Sequence, residues 1–294
     1  MKSGILLAVF LFYLVNSNAQ IQFWNIKDME EMPQQAIRKE LKVKQTLVYR
    51  TDQTGQIKDS TDIEEIRDYN RNGQLIASTT FKYDWNARKK YILRVDSFHY
   101  NANSQLSSYH GYEGPNYNRS YETQVQYNKN NRTEQMNHYM FTGGLRSLET
   151  YDKYEWNEKS KVIKVTKFNA DKKINTTQQF TYDAAGRLTK ESSRDNFGSG
   201  MFHVFTRNTK GLLTKYEEFF GKDLEKTQTY QHDSVGRLIK KVSKSSGYDD
   251  FTIFYYTGDS KLMYGSYLQY SALSNNPNDR RHEYRVFVNR YFND

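Results

Sequence analysis

The chain has 294 residues, no cysteine and a formal net charge of +9 at pH 7, and 15% of its residues are aromatic. Without cysteine, disulfide-stapled folds and thiolate metal sites are excluded. The mean hydropathy of −0.93 is low, but 25 Tyr and 17 Phe argue against a disordered chain, because tyrosine counts as polar yet buries a large ring. Abundant aromatics and only three prolines favour β-sheet.

Residues 1–19 are predicted to be a secretory signal peptide. Lys2 precedes an apolar run from Gly4 to Val15, and Ser17-Asn18-Ala19 supplies the small residues needed for cleavage before Gln20. An uncleaved N-terminal anchor is the alternative, and no cysteine follows for lipid attachment. We therefore expect a protein secreted to the periplasm or cell surface of a Gram-negative bacterium, and not membrane-spanning after cleavage.

Residues 20–46 differ from the rest and are predicted to form an N-terminal cap segment. Helix-forming residues run from Met29 to Lys42, with Pro33 near the start and Ile37 and Leu41 four residues apart. We expect a short helix that covers the first edge of a sheet and hides its unpaired backbone groups. The alternative is a mobile leader.

From residue 47 to 294 the hydrophobic period is two, which predicts a β-hairpin repeat domain. Tyr121, Thr123 and Val125, for example, alternate with Glu122 and Gln124. Such alternation is typical of strands with one buried and one wetter face.

A turn pattern recurs between the predicted strands. An aromatic residue is followed by Asp or Asn, then by Gly three residues later, and then by Leu or Ile two residues further on. The Asx side chain can bond the backbone of a type I turn, and Gly accepts the positive φ of a G1 bulge. The copies with Gly are Asp52 with Gly55, Asn70 with Gly73, Asp183 with Gly186, Asn208 with Gly211, and Asp233 with Gly236. Weaker copies begin at Asn101, Asn157 and Asn169.

The turns that begin at residues 183, 208 and 233 are spaced by 25, which predicts a hairpin unit of about 25 residues. Turns at 197–200 and 220–223 are expected at the other ends of two such hairpins.

Three copies carry a family resemblance. Tyr182-Asp183-Ala184-Ala185-Gly186-Arg187-Leu188 resembles the YD repeat, also called the RHS repeat, and the segments 232–238 and 69–75 are similar to it. The resemblance extends in patches over residues 47–265. It implies an all-β protein in which antiparallel hairpins stack into an extended, twisted or coiled sheet, here with the short helix as a cap. The large toxins of the family wrap such a sheet into a shell, for which this chain has too few repeats.

No catalytic, cofactor-binding or metal site is predicted. The six histidines form no His-x-His or His-Glu-x-x-His motif, and the sequence has neither a nucleophile elbow nor a phosphate loop. His232 occupies the place of Tyr in its sister repeats, which favours a structural role.

The net charge and the predicted secretion together indicate which class of partner the protein binds. Nucleic acid suits a basic, aromatic-rich chain, but secretion argues against it, and Lys and Arg along exposed strands, where they keep sheet edges from pairing, are the favoured explanation of the charge. A cell-surface glycan or an envelope protein is the expected partner.

The strands of an outer-membrane barrel would also show alternating hydrophobic and polar residues, but Lys, Glu and Gln opposite Tyr and Thr leave no apolar band for lipid. We therefore predict a secreted, non-catalytic scaffold or binding protein; the alternatives are a glycan-active enzyme and an orphan shell fragment of a polymorphic toxin system.

Overall fold

The computed structural model of the protein describes residues 35–51, 56–57, 62–84, 87, 89–114, 119–245, 248–256, 263–271 and 280–292. Its strands are β1 (Val43–Thr51), β2 (Ile63–Tyr69), β3 (Leu75–Asp84), β4 (Lys89–Tyr100), β5 (Leu106–Glu113), β6 (Arg119–Tyr127), β7 (Thr133–Thr142), β8 (Leu145–Trp156), β9 (Val162–Asn169), β10 (Ile174–Tyr182), β11 (Leu188–Asp195), β12 (Gly200–Arg207), β13 (Leu213–Phe220), β14 (Asp223–His232), β15 (Leu238–Ser245), β16 (Tyr248–Tyr256), β17 (Met263–Ser271) and β18 (Arg280–Tyr291). One helix, α1, covers residues 35–40. Within the described ranges, no helix is long and apolar enough to cross a membrane.

The 18 strands form one closed antiparallel barrel. Each strand pairs with the next in sequence, and β1 pairs both with β2 and with β18. The closing ladder runs from Thr51 opposite Tyr284 to Val43 opposite Tyr291. The prediction of an extended, coiled sheet, which followed from the YD resemblance, is therefore wrong, because each of the 18 strands is paired on both sides. A closed barrel of this strand number is wide enough to leave an aqueous interior.

Successive hairpin turns alternate between the two ends of the barrel. One end carries seven described turns of the same form, which we call the turn ring. These turns begin at Asn70, Asn101, Asn128, Asn157, Asp183, Asn208 and Asp233. In each, the N–H of the Asx residue donates to the carbonyl four residues later, and the N–H three residues later donates back to the Asx carbonyl. The fourth residue has positive φ, from 55° at Asn131 to 91° at Gly236.

A second irregularity follows every turn of the ring. In the first hairpin Tyr69 pairs with Leu75, whereas Asp68 pairs with Ala77, so Ile76 is an extra residue. The same shift recurs at the other ring hairpins, as in β10–β11 and β14–β15. Bulges of this kind add twist and bend to a strand pair. A bulge of this kind beside every turn of the ring favours the curvature that a closed barrel needs.

An aromatic ladder links neighbouring ring hairpins. Where a Tyr or Trp stands before a turn and another turn precedes it in the ring, its side chain donates to the carbonyl of the first strand residue after that preceding turn. Five such bonds are present: Tyr100 to Leu75 (2.9 Å), Tyr127 to Leu106 (2.7 Å), Trp156 to Thr133 (2.7 Å), Tyr182 to Val162 (2.7 Å) and Tyr256 to Leu238 (3.1 Å). Burial raises the pKa of Tyr100 and of Tyr127 to about 12, so both remain hydroxyl donors at neutral pH.

Helix α1 lies where the ring has no hairpin, beside the first turn and near the start of β1. Arg38 is buried; its Nε donates to the carbonyl of Gly73 at 3.3 Å, and its guanidinium lies 4.4 Å from the ring centroid of Tyr69. The helix therefore fills a gap in the turn ring. The prediction that it covers the first edge of an open sheet is wrong, because β1 is paired on both sides.

The two faces of the wall differ in burial. Residues directly opposite one another on neighbouring strands share a face. On β10 to β15 all six buried strand residues lie on the face that carries the aromatic ladder, which we call the tyrosine face: Phe180, Phe205, Tyr216, Gln228, Tyr230 and Ser243. The concave side of a closed sheet is the more shielded, so we take the tyrosine face as the interior. Two apolar clusters, around Val162 and around Phe205, lie on this face near the ring.

The ladder gives a first prediction. Tyr127→Phe removes one hydroxyl and leaves the Leu106 carbonyl without that donor, so the free energy of unfolding should fall by about 1–2 kcal/mol. Denaturant unfolding measures the change. Tyr151→Phe is the matched control, because that ring stacks on Phe168 and no hydrogen bond of its hydroxyl is seen among the described residues. Equal losses in the two variants would contradict a stabilising ladder.

Candidate functional site

One polar cluster on the tyrosine face lies on β4, β5 and β6. Asp96 is buried and accepts a hydrogen bond from the Tyr121 hydroxyl at 2.9 Å and from Arg94 Nε at 2.6 Å. Gly111 lies between Asp96 and Tyr121 in register. A side chain at Gly111 would overlap the Tyr121 ring, so the missing Cβ is what lets Tyr121 cross a strand to reach Asp96.

Aromatic rings continue this cluster toward the turn ring. Phe98 and Tyr109 stack with centroids 5.9 Å apart, and Tyr109 meets Tyr121 edge-on at 5.8 Å. Burial, and then the charge of Asp96, raise the pKa of Tyr121. The tyrosine therefore stays neutral and acts as a hydroxyl donor. Rings beside paired charges offer both stacking and hydrogen bonding to a polar ligand.

A Thr–His–Asp row continues across β6, β7 and β8. Thr123 Oγ1 lies 3.0 Å from His138 Nδ1, and His138 Nε2 lies 3.1 Å from Asp152 Oδ2. The residue types match a nucleophile, a base and an orienting carboxylate. Thr123, however, is only 2% exposed. An external substrate cannot reach a hydroxyl that is enclosed in this way, so the row holds neighbouring strands together.

A second polar cluster spans β11, β12 and β13. Glu191, His203 and Glu218 are register partners across three strands. Glu191 Oε2 lies 3.5 Å from His203 Nδ1, and the Tyr216 hydroxyl donates to Glu218 at 2.9 Å. Burial, followed by the bond to Glu218, raises the pKa of Tyr216. Glu191 is thus paired with His203, and Tyr216 with Glu218, inside this cluster.

The opposite face carries flat aromatic pairs flanked by lysine. Phe202 and Phe219 stack at 4.4 Å, with Lys190 Nζ 4.7 Å from the Phe202 ring. Tyr151 and Phe168 stack at 4.9 Å beside Lys153. Such pairs are ordinary cross-strand contacts.

The turn residues singled out from the sequence form the turn ring and do not gather into a site. Asn70, Asp183, Asn208 and Asp233 each begin a turn, and their Oδ1 atoms accept the N–H four residues later. The paired glycines, Gly73, Gly186, Gly211 and Gly236, all have positive φ. Asp52 and Gly55 lie outside the described residues, as do the signal segment 1–19 and the first part of the cap segment.

The residues of the tyrosine-face clusters were not found from the sequence. Their members come from different strands, from 11 residues apart for Phe98 and Tyr109 to 25 for Asp96 and Tyr121, and only the register brings them together. Two signals were nevertheless present. Gly111 interrupts an alternating strand, which indicates a close approach, and His138 stands on the same face as Thr123 once the pairing is known. In the described part of the chain, no group of three or more His, Asp or Glu side chains could hold a metal ion.

Comparison with known proteins finds no matching family model and no matching curated protein. Among solved structures, the fold is similar to a porin-like protein from Bacteroides uniformis ATCC 8492, at 10% identity and a TM-score of 0.45, covering 84% of this chain and 98% of that one. It is also similar to part of the Photorhabdus luminescens Tc holotoxin pore, at 15% identity and a TM-score of 0.36, covering 76% and 14%. A TcdB2–TccC3 crystal structure follows at 8% identity and a TM-score of 0.17, covering 71% and 20%.

These likenesses are too distant to carry an argument about function. The resemblance to YD repeats accordingly rests on the three sequence motifs around Asn70, Asp183 and Asp233.

Proposed function

We propose that the protein is a non-catalytic binding scaffold of the bacterial cell envelope, and that the tyrosine face of the barrel takes a polar ligand of the glycan class. The observation that carries this proposal is the cluster of Tyr109, Tyr121, Asp96 and Arg94. It combines aromatic planes with a carboxylate and a guanidinium within a few ångströms. Sugars are held by stacking on rings and by hydrogen bonds from such fixed polar groups.

Binding fits this cluster better than catalysis does. The Asp96 carboxylate accepts two hydrogen bonds and is buried, and the Tyr121 hydroxyl is committed to it. General acid–base catalysis needs a group whose pKa lies near the working pH, whereas the pKa of Tyr121 is raised. Thr123, the nucleophile candidate, is enclosed.

The side chains of the barrel wall also support a location beside the membrane rather than within it. On β6 to β11 the opposite face carries Glu122, Gln124, Gln135, Lys153, Glu155, Lys164, Gln179 and Lys190, while the tyrosine face carries His138, Asp152, Lys167 and Glu191. Whichever face meets the surroundings, these strands offer no continuous apolar band of the kind that transmembrane barrels show.

The experiment is a glycan-array screen of the protein purified after secretion from cells that express the full sequence. Binding to a defined sugar at both low and physiological salt is the expected result. Signals that disappear at physiological salt would reflect only the basic surface, and the absence of any sugar signal would contradict the proposal.

A matched pair of variants on β5 tests which face of the barrel wall binds the sugar. Tyr109 belongs to the cluster, whereas Tyr112 lies on the opposite face and is 44% exposed. Tyr109→Ala should abolish sugar binding, and Tyr112→Ala should leave it intact. The reverse pattern would place recognition on the outer wall and overturn the assignment to the tyrosine face.

A further inference from the structure

At two neighbouring hairpins of the turn ring, the Tyr or Trp of the aromatic ladder is replaced by another residue type. The residue before the turn is Tyr or Trp at Tyr69, Tyr100, Tyr127, Trp156, Tyr182 and Tyr256, but it is Arg207 before Asn208 and His232 before Asp233. These two steps follow one another around the ring. At the first of these steps, the guanidinium of Arg207 therefore stands in the shielded position where the other hairpins place a neutral ring.

Arg207 lacks a full set of partners in this position. Its Nε is buried and has no hydrogen-bond partner among the described residues, and its Nη1 makes only a long contact of 3.5 Å with the Gly211 carbonyl. Burial, and then the nearby charge of Arg187, lower the pKa of Arg207. A shielded guanidinium with unmade hydrogen bonds is costly unless a counter-charge is supplied.

A second guanidinium approaches the same glycine from the preceding turn. Arg187 Nη1 lies 2.8 Å from where a Cβ on Gly211 would stand. Arg187 Nε is bonded to Asp183 Oδ2 at 2.7 Å, and Asp183 also accepts the N–H of Arg187. Asp183, whose charge also acts on Arg207, is thus shared with Arg187, while Lys210 adds a further positive charge in the Gly211 turn.

We propose that Arg187 and Arg207, which both lie beside Gly211, form a binding site for a small tetrahedral oxyanion, such as phosphate or a phosphate monoester. Two guanidinium groups that approach from different turns suit an anion whose oxygen atoms point in several directions. This site lies on the turn ring and does not depend on the glycan proposal.

The test is a titration of the full-length protein with inorganic phosphate and, separately, with methyl phosphate, in chloride buffer of constant ionic strength. Phosphorus-31 line broadening and the thermal unfolding midpoint are the readouts. A saturable change in both is expected at low-millimolar anion, since a ligand that binds only the folded state raises the midpoint. Methyl phosphate distinguishes an ester-binding site from one that takes only the free ion.

The decisive variant is Arg207→Tyr, which restores the aromatic of the other hairpins. It should weaken phosphate binding by about tenfold or more and should raise the midpoint without phosphate, because the new hydroxyl can reach the Leu188 carbonyl. Arg194→Tyr is the matched control, an exposed arginine near the opposite end of β11. It should bind phosphate as the unmodified protein does.

Three results would overturn the proposal: no saturable phosphate signal in the unmodified protein, equal phosphate binding in Arg207→Tyr, or equal loss in both variants. The first of these needs no variant, so the test holds even if Arg207→Tyr does not fold.

Discussion

Gly73→Ala is expected to lower the free energy of unfolding by more than about 3 kcal/mol, or to detach helix α1 from the turn ring. Two effects add. Gly73 has a φ of 72°, which costs a non-glycine residue on the order of 1 kcal/mol. A Cβ at Gly73 would also overlap the carbonyl oxygen of Gln35 and would stand 2.7 Å from the backbone nitrogen of Lys39. Backbone atoms of a helix cannot move aside without losing the Arg38 contacts.

Gly143→Ala separates the two effects. Gly143 has a φ of 58°, but a Cβ there would meet nothing within 4 Å. Gly143→Ala should therefore lower the free energy of unfolding only by the cost of the positive φ, about 1 kcal/mol. Denaturant unfolding of both variants measures the difference, and proteolysis of the N-terminal segment reports on detachment. A loss in Gly73→Ala no larger than in Gly143→Ala would show that α1 does not pack on the ring as described.

Local backbone chemistry was readable from the sequence because it is carried by residues close in the chain. An Asx residue followed by Gly three positions later determines a turn by its own hydrogen bonds and φ. The copies without Gly at Asn101, Asn157 and Asn169 form the same turn, with Ser104, Ser160 and Lys172 at φ values of 59° to 64°. A strained residue at these places is tolerated because the flanking strands hold it.

Closure of the barrel could not be read in the same way. It depends on β1 pairing with β18, whose residues lie more than 230 positions apart. Turn patterns specify that a hairpin forms, but the total curvature that the repeated bulges accumulate decides whether the sheet stays open or closes. The bulge residue itself, such as Ile76 or Thr189, has no distinctive chemistry, so the sequence did not reveal it.

The tyrosine-face cluster was hidden for a related reason. Asp96, Gly111 and Tyr121 become neighbours only when three strands adopt one register, and a slip of one residue in any of these strands would send its own residue to the other face. Each residue alone is unremarkable in an alternating strand. Gly111 is the exception, because an interior strand glycine has to be explained by what approaches it.

Gly111→Ala should therefore damage the candidate site more than any change of a polar group in it. The added methyl would lie within the Tyr121 ring, so the ring must swing away and give up its bond to Asp96. We expect a loss of about 2–4 kcal/mol in the free energy of unfolding, from overpacking together with a broken hydrogen bond to a charged group. Sugar binding, if it uses this face, should be lost as well.

Tyrosine titration distinguishes a displaced Tyr121 from a general loss of stability. Burial raises the pKa of Tyr121 in the intact protein, so a ring released to solvent should titrate near 10 and add one tyrosine to the absorbance change there. Gly200→Ala is the matched control, a strand glycine where the nearest atom to a new Cβ is the Ser193 carbonyl oxygen at 3.7 Å. An unchanged tyrosine titration in Gly111→Ala would mean that Tyr121 reaches Asp96 without needing the glycine, and the cluster would then owe its geometry to the strand register alone.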